Sequence, residues 1–240
     1  MSIRYTPGTM PPSVRKKSSG RKSPSTAEGA PRDRLVAAAK QLFALRGYNH
    51  VSIRDIAALA RVNSALIAYH FGNKERLFRY VYLEAARPIN EARMTKFAEL
   101  EQSTEPVSIE TILATWIWPM FRMENLSSGS PISEMSLSLT VEYAELSDQM
   151  NTEIYAEVNE KLLSMLLERL PNASRRSLAW RLYFLIGSVI TITRRHEAGM
   201  LRFSRGESRG EDTREMVAEL ISYAAAGFRA ANETPGTRTA

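Results

Sequence analysis

The sequence contains no cysteine and only three histidines. Without cysteine the chain cannot form a disulfide bond or offer a thiolate as nucleophile or metal ligand. His50, His70 and His196 lie too far apart in the sequence to suggest a metal cluster. We therefore expect no metal and no resident cofactor. The lack of cysteine also fits a reducing compartment, and the expected location is the cytoplasm.

Long apolar runs are missing as well. The longest one, residues 182–193, has twelve residues, whereas a membrane-spanning helix needs about 20. The N-terminus carries no apolar stretch of the kind found in a secretory signal. We expect a soluble protein without a membrane partner.

The usual local signatures of enzymes are also absent. The sequence has no Gly-x-Ser-x-Gly elbow, no Walker loop and no His-Glu-x-x-His pair. The carboxylates of Glu142 and Glu145 fit a solvated helix face better than acid–base catalysis. An enzyme is the competing class, but the expectation is that the chain is not one.

Charge is distributed unevenly along the chain. The first 88 residues carry sixteen basic and five acidic side chains, a net +11, and the remainder carries −5, for a total of +6. A basic front joined to an acidic body is typical of a nucleic-acid reader, although a basic segment can also be a solubilised surface. Residues 1–31 are rich in Pro, Ser, Gly and Lys/Arg and predict a disordered basic arm, which either lies along phosphates or is a solvated tail.

Hydrophobic periodicity predicts an all-α protein with two domains. Apolar residues recur every three to four positions from Arg32 onward, and no stretch alternates with the period of a strand. Pro88 is expected to break or kink the chain between a first domain, 32–87, and a second, 88–232, with a disordered tail at 233–240. Candidate helices in the second domain are roughly 88–102, 107–124, 131–146, 148–169, 174–198 and 212–230.

The first domain has the pattern of a helix-turn-helix. A helix from Arg32 ends at Gly47, which accepts a left-handed conformation. Ser52 and Asp55 form a capping-box pair that starts the second helix. Asn63 is a good N-cap for a third helix, Ser64 to about Tyr69, and Asn73 for a fourth. In such a unit the third helix presents its N-terminal residues to base edges in the major groove.

The stretch VSIRDIAALARVNSALIAYHFGNKERLF resembles the DNA-binding domain of TetR/AcrR-type regulators. The resemblance covers residues 32–79. It is carried by Arg46-Gly47-Tyr48, Ser52-Ile53-Arg54-Asp55-Ile56-Ala57, Ala60-x-Val62, Tyr69-His70-Phe71, and Asn73-Lys74-Glu75 with Leu77. Two positions depart from the family pattern: Arg61 stands where the family usually has glycine, and Ala68 where an aromatic residue is common.

The resemblance implies a role for each matching position. Ser52 and Arg54 would hold phosphates, and Lys74 would grip the DNA backbone at the start of the fourth helix. At the front of the third helix, bases would face Ser64, Ala65 and Leu66. Its far end would touch phosphate or base through Tyr69 and His70. Because the front offers few hydrogen-bonding groups, readout would rely on apolar contact and DNA shape.

The second domain of this family dimerises through its last two long helices and encloses a small-molecule pocket, so helices 174–198 and 212–230 are the expected interface of a homodimer. Helix 174–198 is apolar around most of its circumference, which a central helix of a monomer would also explain. Candidate pocket residues are Trp116, Met120, Phe121, Met123, Met135, Tyr143 and Tyr155, although side chains of these types more often form ordinary core. Segments 87–94 and 170–187 are similar to a branch that includes fatty-acid-responsive repressors, which suggests an apolar, lipid-like effector.

The predicted function is that of a sequence-specific transcriptional regulator: a homodimer that binds a palindromic DNA operator and responds to an apolar effector. Repression is favoured, and activation stays open. The binding-class alternative is an architectural protein that coats DNA without sequence preference, for which the second domain would be unnecessary. The sequence identifies neither the operator nor the effector.

Overall fold

The computed structural model describes residues 30–122, 132, 134–136, 144–192, 197–207 and 212–233. Regular structure in these segments is entirely helical, which confirms the all-α expectation. The principal helices are α1 Pro31–Arg46, α2 Ile53–Ala60, α3 Ala65–Phe71, α4 Lys74–Glu101, α5 Ile109–Arg122, α6 Ala144–Arg169, α7 Arg175–Ile192, α8 Glu197–Phe203 and α9 Thr213–Glu233. Nearly all of the predicted basic arm and C-terminal tail lies outside the described residues.

The first three helices are held together by a small aromatic core. Phe43 of α1 and Phe78 of α4 meet edge to face with ring centroids 4.9 Å apart, and Tyr48 contacts the same Phe78 ring at 5.1 Å. Ile56 of α2 and Ile67 of α3 are fully buried in the same core. Because each helix contributes a large buried side chain, the angles between these short helices are fixed by packing rather than by the connecting turns.

The turn between α2 and α3 keeps the geometry that glycine usually provides, although Arg61 stands there. Arg61 has φ 53° and ψ 48°, which is the left-handed helical region. Its N–H donates to the carbonyl of Ala58, and the N–H of Val62 reaches the carbonyl of Ala57. In this conformation a Cβ atom comes too close to the following carbonyl oxygen, a repulsion that glycine avoids because it has no Cβ.

We therefore expect Arg61→Gly to raise the free energy of unfolding by about 1 kcal/mol, because the strain at positive φ disappears. Ala58→Gly, at an exposed position further inside α2, is the matched control. It should lower the same free energy by about 1 kcal/mol because glycine weakens a helix interior. Urea unfolding of the three proteins measures both changes. If Arg61→Gly destabilised the protein as much as the control does, the backbone at Arg61 would not be strained.

Helix α4 is longer than predicted, because it continues through Pro88. The separate helix expected at 88–102 is the second half of this single helix, Lys74–Glu101. A proline removes one hydrogen bond of the helix, but the buried face runs on past it through Ala86, Ile89, Arg93 and Phe97. Packing on both sides of Pro88 therefore offsets the lost bond.

The remaining helices pack around the second half of α4. Helix α4 contacts α5 and α6, while α9 contacts α5 and α7. Arg181 of α7 donates from Nε to the carbonyl of Gly227 in α9 at 2.6 Å, which ties these two helices together. The predicted helices 131–146 and 148–169 differ from the structure in that α6 already begins at residue 144, and α8 lies partly in a segment predicted as a loop. Helix α7 is described as far as Ile192, and residues 193–196 fall outside the description.

Candidate DNA-binding surface and effector cavity

The start of α2 is fixed by a reciprocal capping box, as the sequence predicts. The hydroxyl oxygen of Ser52 accepts from the N–H of Asp55 at 3.1 Å, and the Asp55 carboxylate accepts from the N–H of Ser52 at 2.8 Å. The Ser52 hydroxyl also donates to that carboxylate at 2.6 Å. These bonds hold the pKa of Asp55 below its usual value. The two side chains thereby satisfy N–H groups that a helix N-terminus leaves without partners.

Replacing Ser52 with alanine is expected to lower the free energy of unfolding by about 1 kcal/mol at neutral pH, the usual effect of losing such a cap. Of the two bonds that the Ser52 hydroxyl makes to Asp55, the one that it donates needs the ionised carboxylate, whereas the one that it accepts from the Asp55 N–H does not. Since the folded pKa of Asp55 is lowered, this stabilisation is complete above the unfolded pKa and is lost as the pH falls through the folded one. The difference between wild type and variant should therefore shrink below about pH 4. A difference that stays constant from pH 7 to pH 3 in urea unfolding would contradict this role for Asp55.

The predicted base-reading residues of α3 divide into exposed and half-buried side chains. Ser64, Ala65 and Tyr69 are exposed, and Tyr69 exposes 81% of its surface. Leu66 and His70 are half-buried, and Leu66 packs against the core. The front of α3 is held by Asn63, whose side-chain oxygen accepts from the N–H of Ala65 at 2.9 Å. This front therefore offers DNA mainly small side chains.

Of the residues predicted to hold phosphates, Ser52 and Arg54 are exposed, whereas Lys74 is partly buried. The ammonium group of Lys74 donates to the carbonyls of Tyr48 and Val51 at 2.9 and 3.0 Å. It also lies 4.1 Å from the centroid of the Tyr48 ring. Lys74 thus joins the start of α4 to the loop that leads into α2, a role that sequence spacing does not reveal.

A cavity of about 750 Å³ lies among α4, α5, α6 and α7. Of the predicted pocket residues, Trp116, Met120 and Tyr155 line it. Phe121 and Met135 are buried but do not appear among its lining residues. Met123 and Tyr143 lie outside the described residues. The wall formed by α7 was not predicted and is mostly apolar; it includes Ala179, Leu182, Ile186, Val189 and Ile190.

The opposite wall of the cavity is polar. The Tyr82 hydroxyl lies 2.6 Å from that of Ser136, and burial raises the pKa of Tyr82. Burial also raises the pKa of Tyr155, to which the neighbouring Tyr82 contributes. Arg93 is almost completely buried, and this burial lowers its pKa to about 10, so the guanidinium is still charged at neutral pH. Such an arrangement can bind a ligand that has both an apolar and a polar part.

Sequence reasoning did not select Arg93, although a signal for it exists. Arg93 follows Tyr82, Ala86 and Ile89 at the spacing of one helix face, and those three are buried. An arginine on the apolar face of an amphipathic helix is unusual, because arginine is rarely buried without a partner. That position alone marks it as a candidate functional residue.

Helices α7 and α9 leave four large aromatic side chains exposed: Trp180, Tyr183, Phe184 and Tyr223, here called the α7/α9 aromatic face. Within it, Trp180 and Phe184 stack with ring centroids 6.1 Å apart. Each of the four exposes more than half of its surface. Several large exposed apolar side chains on two packed helices are typical of an interaction surface.

Among the residues that the structure describes, no group of three or more His, Asp or Glu side chains is placed to hold a metal ion. No helix among them combines the length and the apolar character needed to cross a membrane.

Two family models match the chain. Residues 35–81 match the model for bacterial regulatory proteins of the tetR family. Residues 114–227 match a tetracyclin repressor-like C-terminal domain. The first match spans the helix-turn-helix, and the second spans the helices that form the cavity and the α7/α9 aromatic face. These matches fit the expectation that the chain is a regulator rather than an enzyme.

Curated relatives resemble part of the chain. The HTH-type transcriptional repressor NicS of Pseudomonas putida is 30% identical over 90 residues, which are 38% of this chain and 41% of NicS. An HTH-type transcriptional repressor of Mycobacterium tuberculosis is 51% identical over 43 residues, 18% of this chain and 23% of that protein. The chain thus matches less than half the length of either relative.

Solved structures share the fold of this chain over more than four fifths of its length. The fatty acid degradation regulator FadR from Bacillus halodurans has a TM-score of 0.60 at 17% identity, covering 84% of this chain and 97% of that one. A transcriptional regulator from Pseudomonas aeruginosa has a TM-score of 0.59 at 16% identity, covering 83% and 90%. Because the two family models match residues 35–81 and 114–227 in order, together more than half of the chain, this chain belongs to the TetR family of bacterial regulatory proteins.

Proposed function

We propose that this protein is a transcriptional repressor that binds a palindromic operator as a homodimer and leaves it when a small molecule occupies the cavity. The observation that carries the proposal is the capped helix-turn-helix with its exposed α3 surface, in the part of the chain that matches the tetR model. Repression rather than activation is favoured because both curated relatives described above are named as repressors.

The proposed DNA contacts follow the exposure of the side chains. Ser52 and Arg54 bind phosphates at the start of α2, while Ser64, Ala65 and Tyr69 meet the major groove. Leu66 and His70 contribute what their half-buried side chains leave accessible. Lys74 acts mainly by holding the loop before α2, and the N-terminus of α4 binds phosphate through its backbone.

The proposed dimer forms through the α7/α9 aromatic face. A two-fold axis brings the same face of both subunits together. Each subunit then buries its own copies of Trp180, Tyr183, Phe184 and Tyr223 against the other subunit. Dimerisation also places two α3 helices at a fixed separation. Two related helices read a palindrome whose half-sites lie about 34–36 Å apart or a multiple of that distance.

The proposed coupling between cavity and DNA runs through α4. Lys74 at its start holds the loop before α2, and Tyr82 and Arg93 further along line the cavity. Arg79 of α4 also forms an ion pair with Glu153 of α6 at 3.1 Å. A ligand that favours another position of α4 changes the separation of the two α3 helices. It can shift the equilibrium between the two states by no more than its difference in affinity for them.

The division into domains remains a prediction, with 32–87 reading DNA and 88–232 binding effector and partner; α4 belongs to both. The effector is a small molecule with a largely apolar body, and the cytoplasm is the proposed location because the operator is there.

Selection of binding sites from a random pool of duplex DNA tests the proposal. The expected result is enrichment of an inverted repeat, since two identical subunits read two half-sites. Enrichment of one unrepeated half-site would contradict the dimer. Retention of DNA without any enriched sequence would favour an architectural protein instead.

A further inference from the structure

Arg93 is a buried positive charge without a negative partner among the described residues. It exposes 1% of its surface. Its Nε donates to the carbonyl of Trp116 at 2.7 Å and its Nη1 to the side-chain oxygen of Asn90 at 3.1 Å. The guanidinium also lies 4.1 Å from the centroid of the Trp116 ring. All of these partners are neutral.

Neutral partners do not replace a counter-ion. Burying a charge removes its hydration, and buried arginines are normally paired with a carboxylate or phosphate that repays part of this cost. The bonds to Trp116 and Asn90 fix the direction of the guanidinium but leave N–H groups of Nη1 and Nη2 without a bond among the described residues. A planar guanidinium with free N–H groups matches the geometry of a carboxylate.

Arg93 is also one of the residues that line the 750 Å³ cavity, so this cavity borders a buried positive charge. The hydroxyl groups beside it are already engaged: Ser136 donates to the carbonyl of Ile132 at 2.7 Å, and Tyr82 lies 2.6 Å from the Ser136 oxygen. The unbonded N–H groups of Arg93 are therefore the donors that this part of the cavity offers to an anion. The α7 wall of the cavity is mostly apolar. The cavity therefore complements a molecule with one anionic group and an apolar body.

Two carboxylates also reach this cavity, those of Glu145 and Asp148. Both residues are exposed, so water solvates their charges whether or not a ligand is bound. An exposed charge contributes little to binding, whereas a desolvated one contributes strongly when a partner arrives. Arg93 therefore determines the sign of the charge that the preferred ligand carries.

We propose that the effector is a carboxylic acid with an apolar body, bound with its carboxylate on the guanidinium of Arg93. This inference rests on the proposed function, since it assigns the chemical class of the effector. Trp116 packs on the same guanidinium, so ligand binding there changes the surroundings of its indole ring.

Titration of the full-length protein with matched probes tests the assignment. The probes are octanoate, dodecanoate and phenylacetate, each beside the alcohol and the amine of the same skeleton, followed by tryptophan fluorescence and calorimetry. We expect at least one acid to bind about tenfold or more tightly than its alcohol, because the charged hydrogen bonds are lost with the alcohol. Equal binding of acid and alcohol, preference for the amine, or no binding of any acid would each overturn the proposal.

Two variants and a control locate the preference. Arg93→Gln should remove the discrimination between acid and alcohol, while Arg93→Lys should retain part of it because the charge remains. The control Arg87→Gln changes an exposed arginine of the same helix and should bind like wild type. If circular dichroism shows that Arg93→Gln does not fold, the proposal is still tested by the ratio of acid to alcohol affinity in the wild type and in Arg93→Lys. Unchanged discrimination in folded Arg93→Gln would place the carboxylate elsewhere.

DNA binding measured on the same samples separates this inference from the proposed function. Operator binding without any preference for acids would reject the carboxylate and leave the regulator intact. A preference for acids without operator binding would reject the regulator and leave the carboxylate site intact.

Discussion

Replacing Phe184 with glutamate is expected to convert the homodimer into a monomer and to weaken operator binding by about 100-fold or more. Phe184 stacks on Trp180 within the α7/α9 aromatic face and exposes 61% of its surface in a single chain. In a two-fold dimer the substitution places two carboxylates in one apolar interface, where they are desolvated and repel each other. A monomer then loses the linkage between half-sites, which accounts for a factor of about 10² or more.

Light scattering after size exclusion gives the oligomeric state, and fluorescence anisotropy gives the operator affinity. Leu83→Glu is the matched control, because Leu83 of α4 is also an exposed apolar residue but lies outside this face. The control should remain dimeric. A Phe184→Glu protein that stays dimeric with unchanged affinity would show that the dimer uses another surface.

Reversing the charge of Arg54 is the second substitution with a large expected effect. Arg54 is exposed in the first turn of α2, next to the capping box. Arg54→Glu should weaken operator binding by about 100-fold or more, because each of two subunits exchanges an attractive phosphate contact for a repulsive one. Arg54→Gln should make the dependence of the logarithm of affinity on the logarithm of salt concentration shallower by about 2, one contact per subunit.

Anisotropy titrations at several salt concentrations measure both effects. Arg87→Glu carries the same change of charge on an exposed residue of α4, away from the helix-turn-helix, and controls for the net charge of the protein. It should alter the affinity only a few-fold. If Arg54→Glu and Arg87→Glu weakened binding equally, Arg54 would act through overall charge and not through a contact.

Local signals in the sequence predicted the N-terminal unit well. The capping box of Ser52 and Asp55, the cap by Asn73 and the helix end at Gly47 are all present. Each depends on residues no more than four positions apart, so sequence spacing is sufficient. The break predicted at Pro88 was wrong for the complementary reason. Its local effect is disruptive, but buried contacts from α4 on both sides of it keep the helix continuous.

The cavity could be predicted only in part, because it is assembled from distant segments. Trp116, Met120 and Tyr155 were selected for their size and polarisability, and they line it. Arg93 was not selected, although its place on the apolar face of α4 is visible in the sequence. Its burial against α5 without an acidic partner among the described residues is a property of the tertiary structure. The bonds of Lys74 to the loop before α2 are likewise a tertiary feature.

A titration that compares the affinities for several DNA duplexes tests most directly whether this protein binds DNA sequence-specifically. Labelled duplexes from beside the coding region and from the selected inverted repeat are compared with scrambled duplexes of equal composition, at two salt concentrations. We expect the protein to bind at least one of the two unscrambled duplexes about 10³-fold or more tightly than its scrambled counterpart at both salt concentrations. Equal and steeply salt-dependent binding to every duplex would show that phosphate contacts alone hold the DNA, and would contradict it.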